Sequence, residues 1–310
     1  MTIEILEPGP LTSVQDPFGR LEWRHVGVPV GGAADPWSAR LANRLVGNPD
    51  GAALLEISLG GAVITSDDAT WLALTGGLRA TSGGIDLPVG EAWRLRPGAT
   101  VSIGPGDGGR GYLAVAGGLV VDPVLGSPAT DLRTGFGGID GRALRAGDRM
   151  ESGRVTGRPA RFAGETPSGP IRIVPGPHAD GMEALSVEWT AAVEADRTGV
   201  RLDGPALEGG EAPSMGLALG AIQVPPDGRP IVMLADRPVT GGYRVPAVVI
   251  GPDVGRVARL RPGDRLRFAS VSERVAVEAR HAAEASLAAL KPIGGRSDAD
   301  DGLGWAGAIR

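Results

Sequence analysis

Short apolar runs recur along the whole chain, most of them flanked by Gly, Pro or Asp. Trp71-Leu72-Ala73-Leu74, Thr100-Val101-Ser102-Ile103, Tyr112-Leu113-Ala114-Val115-Ala116, Ile171-Arg172-Ile173-Val174, Ile231-Val232-Met233-Leu234 and Ala247-Val248-Val249-Ile250 each predict a strand. Arg265-Leu266-Arg267-Phe268 alternates charged and apolar residues, the period of a strand with one buried face. Many short strands separated by turn residues predict sandwiches or barrels rather than βαβ units. Two stretches read as helices. Asp35-Pro36 is an N-cap followed by Pro at the first helical position; Trp37, Leu41, Leu45 and Val46 then recur at helical spacing, and Gly47 supplies a stop. Ser272 to Leu290 is rich in Ala and Glu, with high helix propensity.

A weak internal repeat accompanies the strands. Leu95-Arg96-Pro97-Gly98, Leu144-Arg145-Ala146-Gly147 and Leu260-Arg261-Pro262-Gly263 share one form, a turn that leads into a strand. Ile3-Glu4-Ile5-Leu6-Glu7-Pro8-Gly9-Pro10 likewise echoes Ile171-Arg172-Ile173-Val174-Pro175-Gly176-Pro177. Duplication of a β domain explains both echoes; chance recurrence of such turns in a Gly-rich β protein is the alternative. The duplication reading divides the chain into residues 1–165, residues 170–290 with a terminal helix, and a flexible tail over 291–310. Glu151 to Gly169, rich in Gly, Pro, Arg and Thr, is the expected linker.

Composition narrows the chemistry. With 51 Gly and 26 Pro in 310 residues, the chain approaches the range in which disorder is a live reading. The net charge is only −5, however, and these residues are interspersed with apolar runs, so they read as turn punctuation. The absence of cysteine excludes disulfides, thiolate metal sites and thiol nucleophiles. Lys291 is the sole lysine, which removes a Walker loop, Schiff-base chemistry, a biotinyl-lysine and a serine–lysine amidase pair from the core. His25, His178 and His281 lack zinc-ligand spacing. Gly104-Pro105-Gly106-Asp107-Gly108-Gly109 fits Gly-x-Gly-x-x-Gly, but it leads into a strand and so predicts a hairpin turn rather than a dinucleotide site. No signal peptide, membrane span or basic cluster is evident, so a cytoplasmic protein without nucleic-acid or membrane partners is expected.

Four polar constellations remain. Gln15, Asp16, Arg20 and His25 precede a Gly-rich loop and could face a carbonyl substrate, or form an ordinary turn. Around the first helix lie Asp35, Asn43, Asn48 and Glu56; Glu56 interrupts the apolar run Leu54-Leu55-Glu56-Ile57, where a buried carboxylate must be paired or protonated. Asp131 and Arg133 adjoin Gly135-Phe136-Gly137-Gly138, a place for an anion or for a salt bridge that caps the loop. Gln223, then Asp236-Arg237 and Thr240-Gly241-Gly242-Tyr243, follow strands as site residues often do.

Together these segments resemble the allophanate hydrolase subunit 2 family, also called the 5-oxoprolinase C-subunit family, which is related to the carboxyltransferase portion of urea carboxylase. The likeness runs from Ile3 to about Phe268. It is carried by His25-Val26-Gly27-Val28-Pro29, Leu41-Ala42-Asn43-Arg44-Leu45-Val46-Gly47-Asn48-Pro49, Tyr112-Leu113-Ala114-Val115-Ala116-Gly117-Gly118, Thr130-Asp131-Leu132-Arg133, and Gly220-Ala221-Ile222-Gln223-Val224-Pro225-Pro226-Asp227-Gly228 with Thr240-Gly241-Gly242-Tyr243. The resemblance implies a mainly β fold of two cyclophilin-like β-barrel domains with a few short helices. It also implies a subunit 1 partner (the 5-oxoprolinase B-subunit homologue) and an A-subunit. ATP is then used by the complex, with no biotin attached to this chain. Two departures stand out. The family loop Pro-Ser-Gly-Ala-Met-Asp is Val30-Gly31-Gly32-Ala33-Ala34-Asp35 here, which loses a hydroxyl at Gly31, and the family's Pro-Lys after Gly-Gly-Tyr is replaced by Arg244-Val245.

The function so implied is that of the C-subunit in an ATP-dependent 5-oxoprolinase, a hydrolase that opens a cyclic amide to give L-glutamate. Glu56, Asp236 and Arg237 are then the expected catalytic residues, with Gln15, His25, Asp131, Arg133, Gln223, Thr240 and Tyr243 as substrate-binding residues and no metal. The alternatives are a carboxyltransferase component that works on urea or a related small amide, and a non-catalytic regulatory module that binds the subunit 1 partner.

Overall fold

We describe residues 1–293 of a computed structural model. The first half is two antiparallel sheets facing each other. One has six strands in the order Arg149–Glu151, Thr2–Pro8, Ala62–Ser66, Thr100–Pro105, Leu78–Ser82 and Ile85–Leu87. The other has five, in the order Leu11–Gln15, Leu54–Ser58, Arg110–Val115, Thr70–Gly76 and Ala92–Leu95. Their apolar faces meet in one core, where Ile5, Ile64 and Ile103 from the first sheet join Ile57, Leu74 and Leu113 from the second.

In the second half, seven strands close on themselves. They run Ile171–Pro175, Arg265–Ser270, Glu188–Ala195, Gly199–Asp203, Ile231–Met233, Ala221–Val224 and Thr240–Val249, and Ile173 then pairs with Val249 to complete the ring. Closure removes the exposed edges that an open sheet would present. The expected mainly β architecture with few helices is thus the one the chain adopts. The alternation in Arg265–Ser270 decides which side faces in: Leu266 and Phe268 are buried, while Arg265 and Arg267 flank Glu188 in solvent.

The three repeated turns share one local structure. Ala99, Asp148 and Asp264 each donate a backbone N–H to the carbonyl of the Arg three residues earlier, and Gly98, Gly147 and Gly263 all have positive φ, which glycine adopts without a Cβ clash. Asp148 and Asp264 also accept the backbone N–H of Arg145 and Arg261, so their carboxylates tie the turn that launches the strand. The segment Gly104–Gly109, expected as a hairpin turn, instead crosses from one sheet of the first half to the other.

Helix α1 spans Pro36–Leu45 and starts as expected: Asp35 Oδ1 accepts the Ser38 N–H at 3.0 Å and Pro36 occupies the first turn. A second helix, α2 (Gly251–Ala258), has no counterpart in the sequence reading. Its Gly255 lies so close to α1 that a Cβ there would collide with the Asp35 carboxylate. The last helix, α3 (Glu273–Ser286), is capped by Ser272. Lys291, expected at the head of the tail, lies in the strand Leu290–Pro292, paired with Ala160–Phe162. The rest of the expected tail, from residue 294, lies outside the described residues.

Candidate functional site

The two halves meet over a cleft with a cavity volume of about 570 Å³. That is within the size range of small-molecule sites. Leu11, Leu59, Leu132 and Val193 give it apolar walls, and Arg110, Arg133, Arg197 and Asp236 bring charge into it.

The charge at its base is organised by Arg197, only 4% exposed, on the turn between the strands Glu188–Ala195 and Gly199–Asp203. Its Nε and Nη2 donate to the two oxygens of Asp236 at 2.8 and 2.9 Å. Its Nη1 donates to Glu56 Oε1 and its Nη2 also donates to the Gly32 carbonyl at 2.6 Å. One guanidinium therefore ties a carboxylate of each half and the loop between them. Bidentate, charge-assisted bonds of this kind fix geometry as well as charge. Glu56 Oε2 accepts the Ala34 N–H at 2.9 Å, and Arg110 Nε lies 3.4 Å from Glu56 Oε1.

The two carboxylates are driven in opposite directions. Burial opposes ionisation of Glu56, but Arg197, Arg110 and the Ala34 N–H outweigh it and hold the carboxyl below its ordinary range. Burial also dominates at Asp236, and there Arg197 does not compensate; with Glu56 and Asp131 nearby, the carboxyl is raised. Asp236 is thus the readier proton acceptor, and Glu56 the fixed counter-charge of the pair.

Helix α1 is anchored beneath this network. The Asp35 N–H donates to the buried Tyr112 hydroxyl at 2.7 Å, and Arg259 Nε of the second half lies 3.5 Å from Asp35 Oδ2. The loop ahead of α1 is stitched across the interface by the Gly31 N–H, which donates to the Ala235 carbonyl at 3.2 Å. Gly31, the first departure from the family loop, lies beside Arg20 and Asp236. A Cβ there would stand 3.4 Å from Arg20 Nη1 and 3.8 Å from Asp236 Oδ1, and Arg20 Nη1 is buried with no hydrogen-bond partner.

The residues expected from sequence divide into three groups. Glu56 and Asp236 meet at Arg197, and Arg133 lines the same cleft. Gln15, Asp16 and Asp131 face inward and hold loops. Gln15 Nε2 donates to Ser13 Oγ and the Thr130 carbonyl, Asp16 accepts from Gly19 N–H and Ser127 Oγ, and Asp131 accepts the N–H groups of Arg133 and Thr134. Asp131 thus caps its loop through backbone N–H groups rather than pairing with the Arg133 guanidinium, and Arg133 lines the cleft. The third group stands apart from the cleft lining. Arg237 donates to the carbonyls of Leu217 and Leu234, the buried Gln223 Nε2 has no hydrogen-bond partner among the described residues, and Thr240 and Tyr243 are exposed. His25 is exposed on the 3₁₀ turn Leu21–Val26, where its Nδ1 donates to the Glu22 carbonyl at 2.8 Å. At the second departure, Val245 is packed in an apolar cluster with Leu217 and Met233.

Sequence reasoning missed Arg197 and Arg110. The available signal was indirect: a carboxylate inside Leu54-Leu55-Glu56-Ile57 demands a buried cation, but nothing local says which of 30 arginines supplies it. Among the described residues, no group of three His, Asp or Glu could hold a metal ion, and no helix is long and apolar enough to cross a membrane.

Known proteins share the sequence pattern and the fold of this chain. The 5-oxoprolinase C-subunit of Escherichia coli K12 is 37% identical over 294 residues, covering 90% of this chain and 94% of that one. The urea amidolyase of Saccharomyces cerevisiae is 34% identical over 305 residues, covering 87% of this chain but 17% of that protein. Among solved structures, TTHA0988 superposes with a TM-score of 0.80 at 41% identity over 87% of this chain. The Kluyveromyces lactis urea amidolyase gives 0.83 at 30% identity over 92%. The chain spans 56% of the TTHA0988 chain and 20% of the urea amidolyase, so those proteins carry further parts. Residues 26–270 match the model of the carboxyltransferase domain, subdomain A and B, and the chain belongs to that family.

Proposed function

We propose that this chain is the C-subunit of an ATP-dependent 5-oxoprolinase and works with A-subunit and B-subunit homologues to hydrolyse 5-oxo-L-proline to L-glutamate. The observation that carries the reading is the cleft between the halves. Its lining brings together a raised carboxylate, Asp236, and the guanidinium of Arg133, which makes no ion pair among the described residues, within apolar walls. Near co-extension with the 5-oxoprolinase C-subunit of Escherichia coli supports the choice of substrate.

An unstrained lactam resists water, and coupling to ATP supplies the missing drive. The lactam oxygen takes the γ-phosphoryl group and ADP leaves. Water then adds to the activated carbon and the C–N bond breaks, with the nitrogen taking up protons to become the amine. The acyl phosphate so formed is hydrolysed by a second water to glutamate and phosphate. In this chain Asp236 accepts the proton of the attacking water, and Arg133 holds the substrate carboxylate. Glu56 and Arg197 are positioning residues that set the Asp236 carboxylate.

Similarity to urea amidolyase favours a second reading, carboxyl transfer to urea, which is also a planar amide that fits such a cleft. Co-expression with A-subunit and B-subunit homologues separates the two. ATP hydrolysis stimulated by 5-oxoproline is expected. Stimulation by urea with carboxybiotin, and none by 5-oxoproline, would overturn the first reading in favour of the second.

A further inference from the structure

Arg237 directly follows Asp236, yet its surroundings differ from those of every other buried guanidinium discussed above. It is 7% exposed, and its Nε and Nη1 donate to the neutral carbonyls of Leu217 and Leu234 at 3.0 and 3.2 Å. Its Nη2 makes no hydrogen bond and is not sealed from solvent. No carboxylate among the described residues lies within 4.0 Å of it. Arg197 is held by two carboxylates, Arg110 reaches Glu56, and Arg20 sits in the field of Asp16, Asp131 and Asp236. Burial first, and the like charge of Arg24 second, pull its guanidinium down to about 10.

Buried charges are normally paired, because an isolated one is strongly disfavoured. Here Arg24 adds a like charge, and no counter-ion for Arg237 is found among the described residues. A second side chain nearby is also unsatisfied. Gln223 is 4% exposed and its buried Nε2 has no hydrogen-bond partner among the described residues; that nitrogen lies 2.5 Å from where a Cβ on Gly241 would be, beside the Leu217 side chain. Leu217 thus joins the two: its carbonyl takes Arg237 and its side chain abuts Gln223.

Arg24 comes from the other half of the molecule. It sits on the turn Leu21–Val26, in which no residue is buried, and makes no ion pair among the described residues. The turn is rooted at Arg20, whose guanidinium donates to the carbonyls of Val124, Ser127 and Ala129, and it ends at Gly27 with φ of 87°. An anion between Arg24 and Arg237 would therefore join the exposed turn of one half to the second half.

We propose that Arg237 and Arg24, with Gln223 alongside, form a binding site for a small oxyanion group, phosphoryl or carboxylate, separate from the Asp236 cleft, and that its occupant holds the Leu21–Val26 turn against the second half. The proposal stands on the chain alone, independently of which amide the assembled enzyme opens.

The test is direct binding to the purified full chain, by calorimetry and by the shift in melting temperature, at constant ionic strength. One arm titrates inorganic phosphate and the other acetate, so that the tighter ligand identifies the source of the charge. Saturable binding by at least one is expected, with affinity at least tenfold weaker in Arg237→Gln, several-fold weaker in Arg24→Gln and restored in Arg24→Lys. Arg24 is exposed, so its variants keep the test valid even if Arg237→Gln folds poorly. Absence of saturable binding in both arms overturns the proposal, as does affinity that is unchanged in Arg24→Gln or that falls with Arg133→Gln instead.

Discussion

Arg197 grips both oxygens of Asp236, at 2.8 and 2.9 Å, while its remaining terminal nitrogen binds Glu56 in the other half of the molecule. Removing the cation leaves two buried carboxylates facing each other. Breaking a buried ion pair from one side typically costs about 3–5 kcal/mol. Arg197→Met should therefore lower stability by at least about 3 kcal/mol in urea denaturation of the chain. Adding Glu56→Gln to it should recover part of that loss, because the orphaned charge is gone. A double variant no more stable than Arg197→Met would show that the pair is not coupled.

The opposite shifts of the two carboxylates give opposite signs with pH. Glu56 is depressed in the folded chain, so its contribution to stability is present above the ordinary glutamate value and is lost as pH falls through the folded value. Asp236 is raised, so its base form disappears at higher pH than an ordinary aspartate would allow. The acid limb of kcat/KM for the assembled enzyme should accordingly fall above the ordinary aspartate range, while acid unfolding tracks Glu56 at lower pH. Asp236→Asn should remove the acid limb together with most of the turnover; Glu56→Gln should flatten acid unfolding near and below the ordinary glutamate range. An acid limb of turnover unchanged by Asp236→Asn would remove that residue from the base role.

Much of the fold is legible because its rules are local. Asp35-Pro36 encodes a cap and a start, Leu266 and Phe268 encode a buried face, and the Arg-x-Gly-x turns encode three identical strand entries. Helix α2 escapes because Gly251-Pro252-Asp253-Val254-Gly255 has poor helix propensity. Tertiary bonds hold it instead: its buried Asp253 receives three donors from Arg172, two from the guanidinium and one from the backbone. The site is legible only in part for the same reason. Glu56 betrays itself by breaking an apolar run, whereas Arg197 sits in an ordinary turn, Asp196-Arg197-Thr198-Gly199, and gains its role only when the halves meet.

The contact between α1 and α2 predicts a steric failure. Gly255→Ala would drive its Cβ into the Asp35 carboxylate, which is fixed by Ser38 Oγ at 2.6 Å and by the Ser38 N–H. Overpacking of this kind costs about 1–3 kcal/mol. Because Asp35 follows the loop that carries Gly32 and Ala34, the same substitution should also disturb the Arg197–Glu56 network. A lower denaturation midpoint is expected for Gly255→Ala, with little change in Gly251→Ala, where a Cβ meets nothing within 4 Å. Equal effects at both positions would assign the loss to helix propensity instead.

Arg133 separates substrate recognition from folding. Its guanidinium makes no ion pair among the described residues, and its loop is held by Asp131 through backbone N–H groups, so Arg133→Gln should leave stability within about 0.5 kcal/mol. In the cleft it is the exposed cation suited to a substrate carboxylate, which 5-oxoproline has and urea lacks. A charge-assisted bond lost from binding is worth about 1.5–3 kcal/mol, or roughly 10- to 100-fold in KM. Arg133→Gln should therefore raise KM for 5-oxoproline by that factor while kcat changes little, and 2-pyrrolidinone, the lactam without the carboxylate, should be turned over equally poorly by both forms. If instead Arg133→Gln impairs 5-oxoproline and 2-pyrrolidinone alike, the guanidinium acts at the lactam carbonyl and the carboxylate is held elsewhere.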